Sequence, residues 1–269
     1  MNEIYGSDAY SPQEIAERIE LTGVNKANLP FIPMAALGVL AGGFIGLGAL
    51  FYTVVASDHT LSFALRGLLG GMAFSLGLIL VVVAGAELFT GNNLMVMAWV
   101  DRKISARLLL RNLSLVYAAN FLGAVGLAAL VAVSGHAKMH SGAVEATAIA
   151  IASAKCSIAL SEAFFRGILC NLLVCLAIWL AMAGRSVADR VLAIVFPITA
   201  FVAAGFEHCI ANMYFVPLGI FLADGHRPDA LNWTAFFVNN LLPVTLGNIV
   251  GGAGLVGITY WVIYCRNDS

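Results

Sequence analysis

The sequence predicts an all-α integral membrane protein: six transmembrane helices in two inverted three-helix repeats, with the second and fifth helices interrupted. Composition, the length of the apolar segments and an internal duplication lead there. Hydrophobic residues make up 61% of the 269 residues and charged residues 11%, with a mean hydropathy of +0.91. A soluble domain carries about 25% charged residues, so the chain is expected to live in the lipid bilayer, and no nucleic-acid partner is expected.

Residues 1–29 are read as a cytoplasmic N-terminal helix and linker, 30–265 as the six-span domain, and 266–269 as a cytoplasmic tail. The acidic start, MNEIYGSDAYSPQEIAERIE, has no apolar core, so no cleavable signal peptide is expected. Ser11-Pro12-Gln13-Glu14 carries a capping Ser, an early Pro and a Glu three residues after the cap, which together mark a helix start. The helix that follows sets Ile15, Ile19 and Leu21 against Glu17, Arg18 and Glu20. It is too polar to span and is expected to lie at the membrane interface.

Six apolar segments come next: 31–55, 63–99, 108–134, 158–183, 191–223 and 236–264. Each approaches or exceeds the ~20 residues a crossing helix needs. An even number places both termini on one side. Nine basic residues fall on that side, among them Arg102, Lys103, Arg107 and Arg111, against five on the other (Arg66, Lys138, Lys155, Arg166, Arg227). The positive-inside rule then makes both termini cytoplasmic and the protein a multi-pass inner-membrane protein. Gly38-x-x-x-Gly42-x-x-x-Gly46, Gly67-x-x-x-Gly71 and Gly247-x-x-x-Gly251 read as seams where helix backbones approach closely. Cys156, Cys170, Cys175, Cys209 and Cys265 show neither metal-ligand spacing nor a disulfide framework and read as small hydrophobes. His136, His140 and His226 read as solvated loop residues.

The duplication is visible at fixed offsets. At 120 residues, Val82, Ala84, Gly85, Glu87, Asn92 and Val96 match Val202, Ala204, Gly205, Glu207, Asn212 and Val216; at 128, Asn112, Leu113, Val116, Asn120, Gly123 and Gly126 match Asn240, Leu241, Val244, Asn248, Gly251 and Gly254. The repeats run approximately 30–134 and 157–265. Three spans is an odd number, so a second copy folded like the first enters the membrane upside down. Such inverted repeats place sites near the midplane, where interrupted helices meet. Spans two and five are too long for one crossing, and each has a Gly followed by polar residues at its centre. Backbone that leaves the helix at that depth must be buried in protein or line a watery cavity.

A carboxylate or imidazole at this depth costs roughly 2.5–3.5 kcal/mol on insertion scales. Glu87 and Glu207 share one repeat position, as do Asn92 and Asn212. We read them as loop-structuring groups, the carboxylates accepting bonds from N–H groups of the irregular segments, because buried charges must be bonded. Asn112, Asn120, Asn240 and Asn248 read as interhelical hydrogen-bond glue. His208 lies in the second break, where its repeat counterpart is Leu88. A lone core histidine is ordinarily a packing residue; its place at a break makes it the first candidate functional group.

Taken together, Gly205-Phe206-Glu207-His208-Cys209-Ile210-Ala211-Asn212-Met213, Glu87-Leu88-Phe89-Thr90, Arg166-Gly167-Ile168-Leu169-Cys170-Asn171 and Gly247-Asn248-Ile249-Val250-Gly251-Gly252 resemble the formate/nitrite transporter family. The likeness runs from Gly23-Val24-Asn25-Lys26 to Thr259-Tyr260-Trp261-Val262-Ile263-Tyr264. It implies an aquaporin-like protomer assembled as a homopentamer, each protomer with its own pore for small monovalent anions. It implies that His208 is the central pore histidine, with Thr90 on the loop that breaks the second span and Asn171 nearby. Leu78, Phe74 and Phe201 fall where the family has its cytoplasmic constriction and Leu88 on the other; Lys155 and Lys26 match basic residues near the pore entrances that attract anions. The Glu-Leu-Phe-Thr-Gly run resembles the nitrite and more general branches, the C-terminal run the formate channel branch. Formate is the first expectation, nitrite and hydrosulfide the alternatives.

The expected mechanism is neutralisation. Carrying a bare ion through an apolar constriction faces an idealised desolvation cost of order 20 kcal/mol, reduced in practice to several. Protonating a carboxylate of pKa about 4 at neutral pH costs about 4 kcal/mol. A histidine titrating near 6.5 suits a proton relay. An intramembrane enzyme would need catalytic or metal-binding motifs, and neither His-Glu-x-x-His nor Gly-x-Ser-x-Gly occurs. No catalytic residue, metal set or cofactor is therefore expected. A neutral-solute pore of aquaporin type is the remaining rival, and its paired Asn-Pro-Ala signature is missing.

Overall fold

The computed structural model describes residues 8–223 and 228–266; His226 and Arg227 lie outside them. Among the described residues the chain is helical, with one isolated bridge, Ala9 to Gly184. Helix α1 (Pro12–Ala27) begins with the expected capping box: the Glu14 amide donates to Ser11 Oγ at 3.3 Å and the Ser11 amide to Glu14 Oε2 at 2.7 Å. Its apolar stripe does not face lipid as expected. Ile15, Ala16 and Ile19 pack into a core with Leu94, Trp179 and Val256, because a protein surface satisfies an amphipathic stripe as well as a membrane does. Glu20 is buried on the same helix and paired with Lys103.

Among the described residues, five helices are long and apolar enough to cross: Phe31–Ala56, Phe63–Gly85, Ala106–Val133, Leu160–Ala183 and Trp233–Tyr264. The first is α2 (Phe31–Ala56). The second is α3 (Phe63–Ile79), widened into a π-helical turn over Leu80–Gly85; it resumes after a break as α4 (Phe89–Asn92) and, through a 3-10 turn, α5 (Val96–Val100). Then come α6 (Ala106–Val133), α7 (Ala143–Cys156) and α8 (Leu160–Ala183). A further apolar stretch is split into α9 (Val187–Ala203) and α10 (Cys209–Leu222), 17 and 14 residues, neither long enough alone. The chain closes with α11 (Trp233–Ala235), α12 (Leu242–Ile249) and α13 (Thr259–Tyr264), joined by π-helical stretches into one rod. Helix α7 lies between the third and fourth apolar segments, where the sequence predicts no span.

The glycine seams are close crossings. A Cβ on Gly42 would stand 2.0 Å from the Asn120 carbonyl oxygen and one on Gly123 1.9 Å from that of Val39, so α2 and α6 touch backbone to backbone. Gly247 and Gly251 repeat this against Phe164 and Ile168, at 2.1 and 2.2 Å, where α12 and its π-helical extension cross α8. Large apolar side chains face outward, Ile32, Leu110, Val133 and Phe196 among them, as a lipid-facing surface requires. The Tyr10 amide donates to the Ala183 carbonyl at 3.0 Å and Gln13 Nε2 to the Tyr264 carbonyl at 2.7 Å. So α1 and the C-terminal ends of α8 and α13 share one end of the bundle.

Candidate functional site: the two helix breaks and the cavities beside them

Each break begins with a glycine in left-handed backbone, Gly85 at φ 84° and Gly205 at φ 69°. Both have open space where a Cβ would go, so it is the dihedral and not crowding that requires glycine. Extended residues follow, Ala86 and Leu88 in the first break and His208 in the second, before helix resumes at Phe89 and Cys209.

The backbone groups freed by the breaks are satisfied by asparagine. The Phe89 amide donates to Asn120 Oδ1 at 2.9 Å, while Asn120 Nδ2 donates to the carbonyls of Gly38 (2.7 Å) and Glu87 (2.9 Å). The Cys209 amide donates to Asn248 Oδ1 at 2.9 Å, while Asn248 Nδ2 donates to Gly167 (2.8 Å) and Glu207 (3.0 Å). The sequence points instead to Glu87 and Glu207 for this role. Their carboxylates accept side-chain donors: Glu87 takes Lys26 Nζ and Asn92 Nδ2, both at 2.7 Å; Glu207 takes Lys155 Nζ at 2.9 Å, Asn212 Nδ2 at 2.7 Å and Asn240 Nδ2 at 3.2 Å. The physical reason is that a buried carboxylate is held better by a cation and amide groups than by loop amides an uncharged Asn can serve. Asn112 and Asn240 complete the parallel, donating to the carbonyls of Lys26 (3.2 Å) and Lys155 (3.0 Å).

His208 and Thr90 break this parallel. They bond across the breaks, Thr90 Oγ1 to His208 Nε2 at 2.9 Å, both buried. The Ala211 amide donates to His208 Nδ1 at 3.1 Å. An amide can only donate, so Nδ1 offers its lone pair, the neutral ring carries its proton on Nε2, and that proton goes to Thr90 Oγ1. The Thr90 hydroxyl hydrogen is left to bond elsewhere. Asn171 Nδ2 reaches the Thr90 carbonyl at 3.2 Å and that of Asn248 at 2.7 Å, so it ties the helix start after the first break to α12, whose Asn248 caps the second.

Two cavities flank this centre. One, about 420 Å³, is lined by Lys26 and Ile19 of α1, Glu87, Leu88 and Asn92. The other, about 400 Å³, is lined by Tyr52, Phe74, Lys155, Phe201 and His208. Phe74 and Phe201 meet edge to face at 5.5 Å, and the Phe201 ring lies over the His208 ring at 6.1 Å. Leu78 and Leu88 are each 2% exposed. The cavity of Leu88, lined also by Ile19, Thr22 and Lys26 of α1, lies at the end of the bundle that α1 shares with the end of α13, and that of Phe74 and Phe201 is away from it. Termini on the cytoplasmic side and a cytoplasmic Phe74–Phe201 constriction exclude one another; the sequence alone could not place a kinked helix's rings relative to α1. Both lysines line cavities, yet each is ion-paired, and Lys155 also sits over the Phe215 ring at 5.4 Å. His140 is exposed and His136 half-buried, remote from these cavities.

The formate/nitrite transporter family model matches residues 13–262. The formate channel FocA of Escherichia coli (strain K12) is 40% identical, the match covering 97% of this chain and 97% of that one. A solved structure described as a pentameric formate channel with formate bound superposes with a TM-score of 0.81 at 41% identity, covering 88% of this chain and 98% of the other. A second, described as an FNT family ion channel, gives 0.84 at 30% identity, covering 93% and 98%. With its apolar crossing helices and a match over nearly its whole length, this multi-pass membrane protein belongs to the formate/nitrite transporter family.

Proposed function

We propose that the protein is a formate channel of the cytoplasmic membrane, built as an aquaporin-like protomer from two inverted three-helix repeats with interrupted spans two and five, and assembled as a homopentamer with one pore per protomer. The observation that carries the reading is the 2.9 Å bond between Thr90 Oγ1 and His208 Nε2, held between two cavities where the breaks meet. Formate and the pentamer are carried over from the relatives named above. The bonds repeated around Glu87 and Glu207 support the duplication, and the basic residues near the termini support cytoplasmic ends.

The anion gathers where Lys26 or Lys155 lines a cavity, drawn by an ammonium whose charge its Glu offsets only partly at close range. It reaches the centre through Leu88 on one side or Leu78, Phe74 and Phe201 on the other, which resist the charged form. At the centre the free hydrogen of the Thr90 hydroxyl donates to it. For His208 to give up a proton it must first gain one at Nδ1 from bulk solvent by way of the cavity it lines, which parts the ring from the Ala211 amide. Imidazolium and formate then become neutral imidazole and formic acid, and the acid passes on.

The test is formate uptake into proteoliposomes across a pH series, with nitrite, hydrosulfide, acetate and glycerol alongside. The expected result is pH-dependent formate flux that His208→Phe abolishes. Unchanged pH-dependent uptake in that variant ends the relay. Glycerol flux exceeding formate flux makes this a neutral-solute pore, and preference for nitrite or hydrosulfide reassigns the substrate.

A further inference from the structure

Polar groups near the breaks fall into two sets. One set has a twin in the other half: Glu87 and Glu207, Asn92 and Asn212, Asn120 and Asn248, Lys26 and Lys155 make matching bonds. The other set has none. At the 120-residue offset Thr90 faces Ile210 and Asn93 faces Met213. Lys26 with Lys155, and Gly38 with Gly167, fix an offset of 129 for the preceding helices; there Asn171 faces Gly42 and Cys175 faces Gly46.

The unmatched residues converge on one atom. The Thr90 carbonyl oxygen accepts from Asn93 Nδ2 at 3.2 Å, from Asn171 Nδ2 at 3.2 Å and from Cys175 Sγ at 3.5 Å. Asn93 comes from the same helical run, Asn171 and Cys175 from successive turns of α8, and all three are buried. Gly252 leaves the room: a Cβ there would stand 2.2 Å from Asn171 Nδ2 and 2.9 Å from Cys175 Sγ. A shared scaffold explains bonds that both halves make. It does not explain a three-donor clamp on the residue whose hydroxyl bonds His208.

We propose that Asn93 and Cys175 are, with Asn171, positioning residues that hold the first turn after the break so that the Thr90 hydroxyl stays on His208 Nε2 with its hydrogen turned to the anion. The proposal rests on the reading of Thr90 as the anion-facing donor. Without the clamp the carbonyl is free to tilt, and the hydroxyl moves with the backbone that carries it.

Formate uptake by reconstituted Cys175→Ala, Cys175→Ser, Asn93→Leu and Thr90→Ala is measured across a pH series, with the two clamp variants also made in the Thr90→Ala background. Cys175→Ala and Asn93→Leu each lower formate flux about threefold to tenfold, the factor one hydrogen bond of ordinary net strength carries, and move the pH midpoint in the direction Thr90→Ala moves it. Cys175→Ser, which keeps a donor, retains wild-type flux and midpoint. In the Thr90→Ala background the clamp substitutions change nothing further. Losses that add in that background, or wild-type profiles in both single variants while Thr90→Ala is defective, overturn the clamp. Wild-type transport by Thr90→Ala overturns instead the reading of the site, and the clamp with it. Should Cys175→Ala fail to reconstitute, Asn93→Leu probes the same carbonyl from its own helix.

Discussion

Replacing Lys155 with Met separates its hold on Glu207 from the anion-drawing role proposed for it. The ammonium lies 2.9 Å from Glu207 Oε1, with the Lys155 side chain 14% exposed and that of Glu207 5%. Removing one partner of a buried pair leaves an uncompensated charge and costs about 3–5 kcal/mol; the two amide bonds that Glu207 keeps from Asn212 and Asn240 place the loss at the lower end. At roughly 2–4 °C per kcal/mol for a chain of this size, the thermal midpoint falls by about 6–12 °C. It is read by fluorescence-detected size exclusion of the heated, detergent-solubilised oligomer. Lys155→Met with Glu207→Gln removes both charges and keeps the amide geometry, so most of the midpoint returns. Flux isolates the second role, because an ammonium that gathers anions leaves the double variant slow at low salt and without salt dependence. The twin pair supplies a ranking. Lys26 is 24% exposed, water screens it better, and Lys26→Met costs less than Lys155→Met. Single variants as stable as wild type, or a double variant no more stable than Lys155→Met, refute the pairing.

Gly42→Ala puts a methyl 2.0 Å from the Asn120 carbonyl and is expected to abolish assembly, whereas Gly126→Ala and Gly254→Ala, with nothing within 4 Å, leave expression and size-exclusion profile unchanged. Asn248→Leu orphans the Cys209 amide and the Glu207 carbonyl and takes the Asn248 donor from the Gly167 carbonyl; at about 1–3 kcal/mol per buried unsatisfied group, it lowers the thermal midpoint about as far as Lys155→Met does. The Ser11 backbone and hydroxyl hold the Glu14 carboxyl below its ordinary 4.5. Because the folded value is the lower one, the capping box contributes fully above the ordinary value and fades as pH falls through the folded one. Hydrogen exchange of the α1 amides therefore speeds up below about pH 4 in the wild type relative to Glu14→Gln, and identical pH profiles in the two refute it.

The five crossing helices found among the described residues and the matching polar positions at the two breaks were legible because membrane burial leaves few polar residues, and those few recur at fixed offsets: Glu87 with Glu207, Asn120 with Asn248. The breaks were legible because Gly85 and Gly205 sit at the centre of segments too long for one crossing. What was hidden depends on distance across the fold. Asn120 lies 31 residues from the amide it caps and Asn248 lies 39, and no local pattern distinguishes such a cap from an interhelical bond. Helix α7 reads AVEATAIAIASAKC, 14 residues and too short to cross, so a search for spans passes over it. Its relation to α1 shows only in space, where Lys155 and Lys26 end their helices and make the same bonds.

That relation changes how the duplication divides labour. A repeat of three helices leaves Lys26 and Lys155 as unrelated basic residues near two pore mouths. A repeat of four, beginning with α1 and α7, makes them one position, each pairing with the Glu of its own break and offering its carbonyl to the matching Asn. Residues that obey this symmetry then answer for the scaffold, since both halves need the same repair of a broken helix. Residues that violate it lack that explanation. Thr90 against Ile210 and His208 against Leu88 give one break a hydroxyl and the other an imidazole, so the centre is chemically lopsided inside a symmetric frame. Introducing Thr at Ile210 and His at Leu88 supplies the missing groups without a clamp on residue 210, because Gly42 and Gly46 stand where Asn171 and Cys175 would be needed. If scaffold and function divide this way, that double variant assembles but adds no second pH-dependent step to formate flux; a second titration in its uptake profile shows that the frame alone is enough.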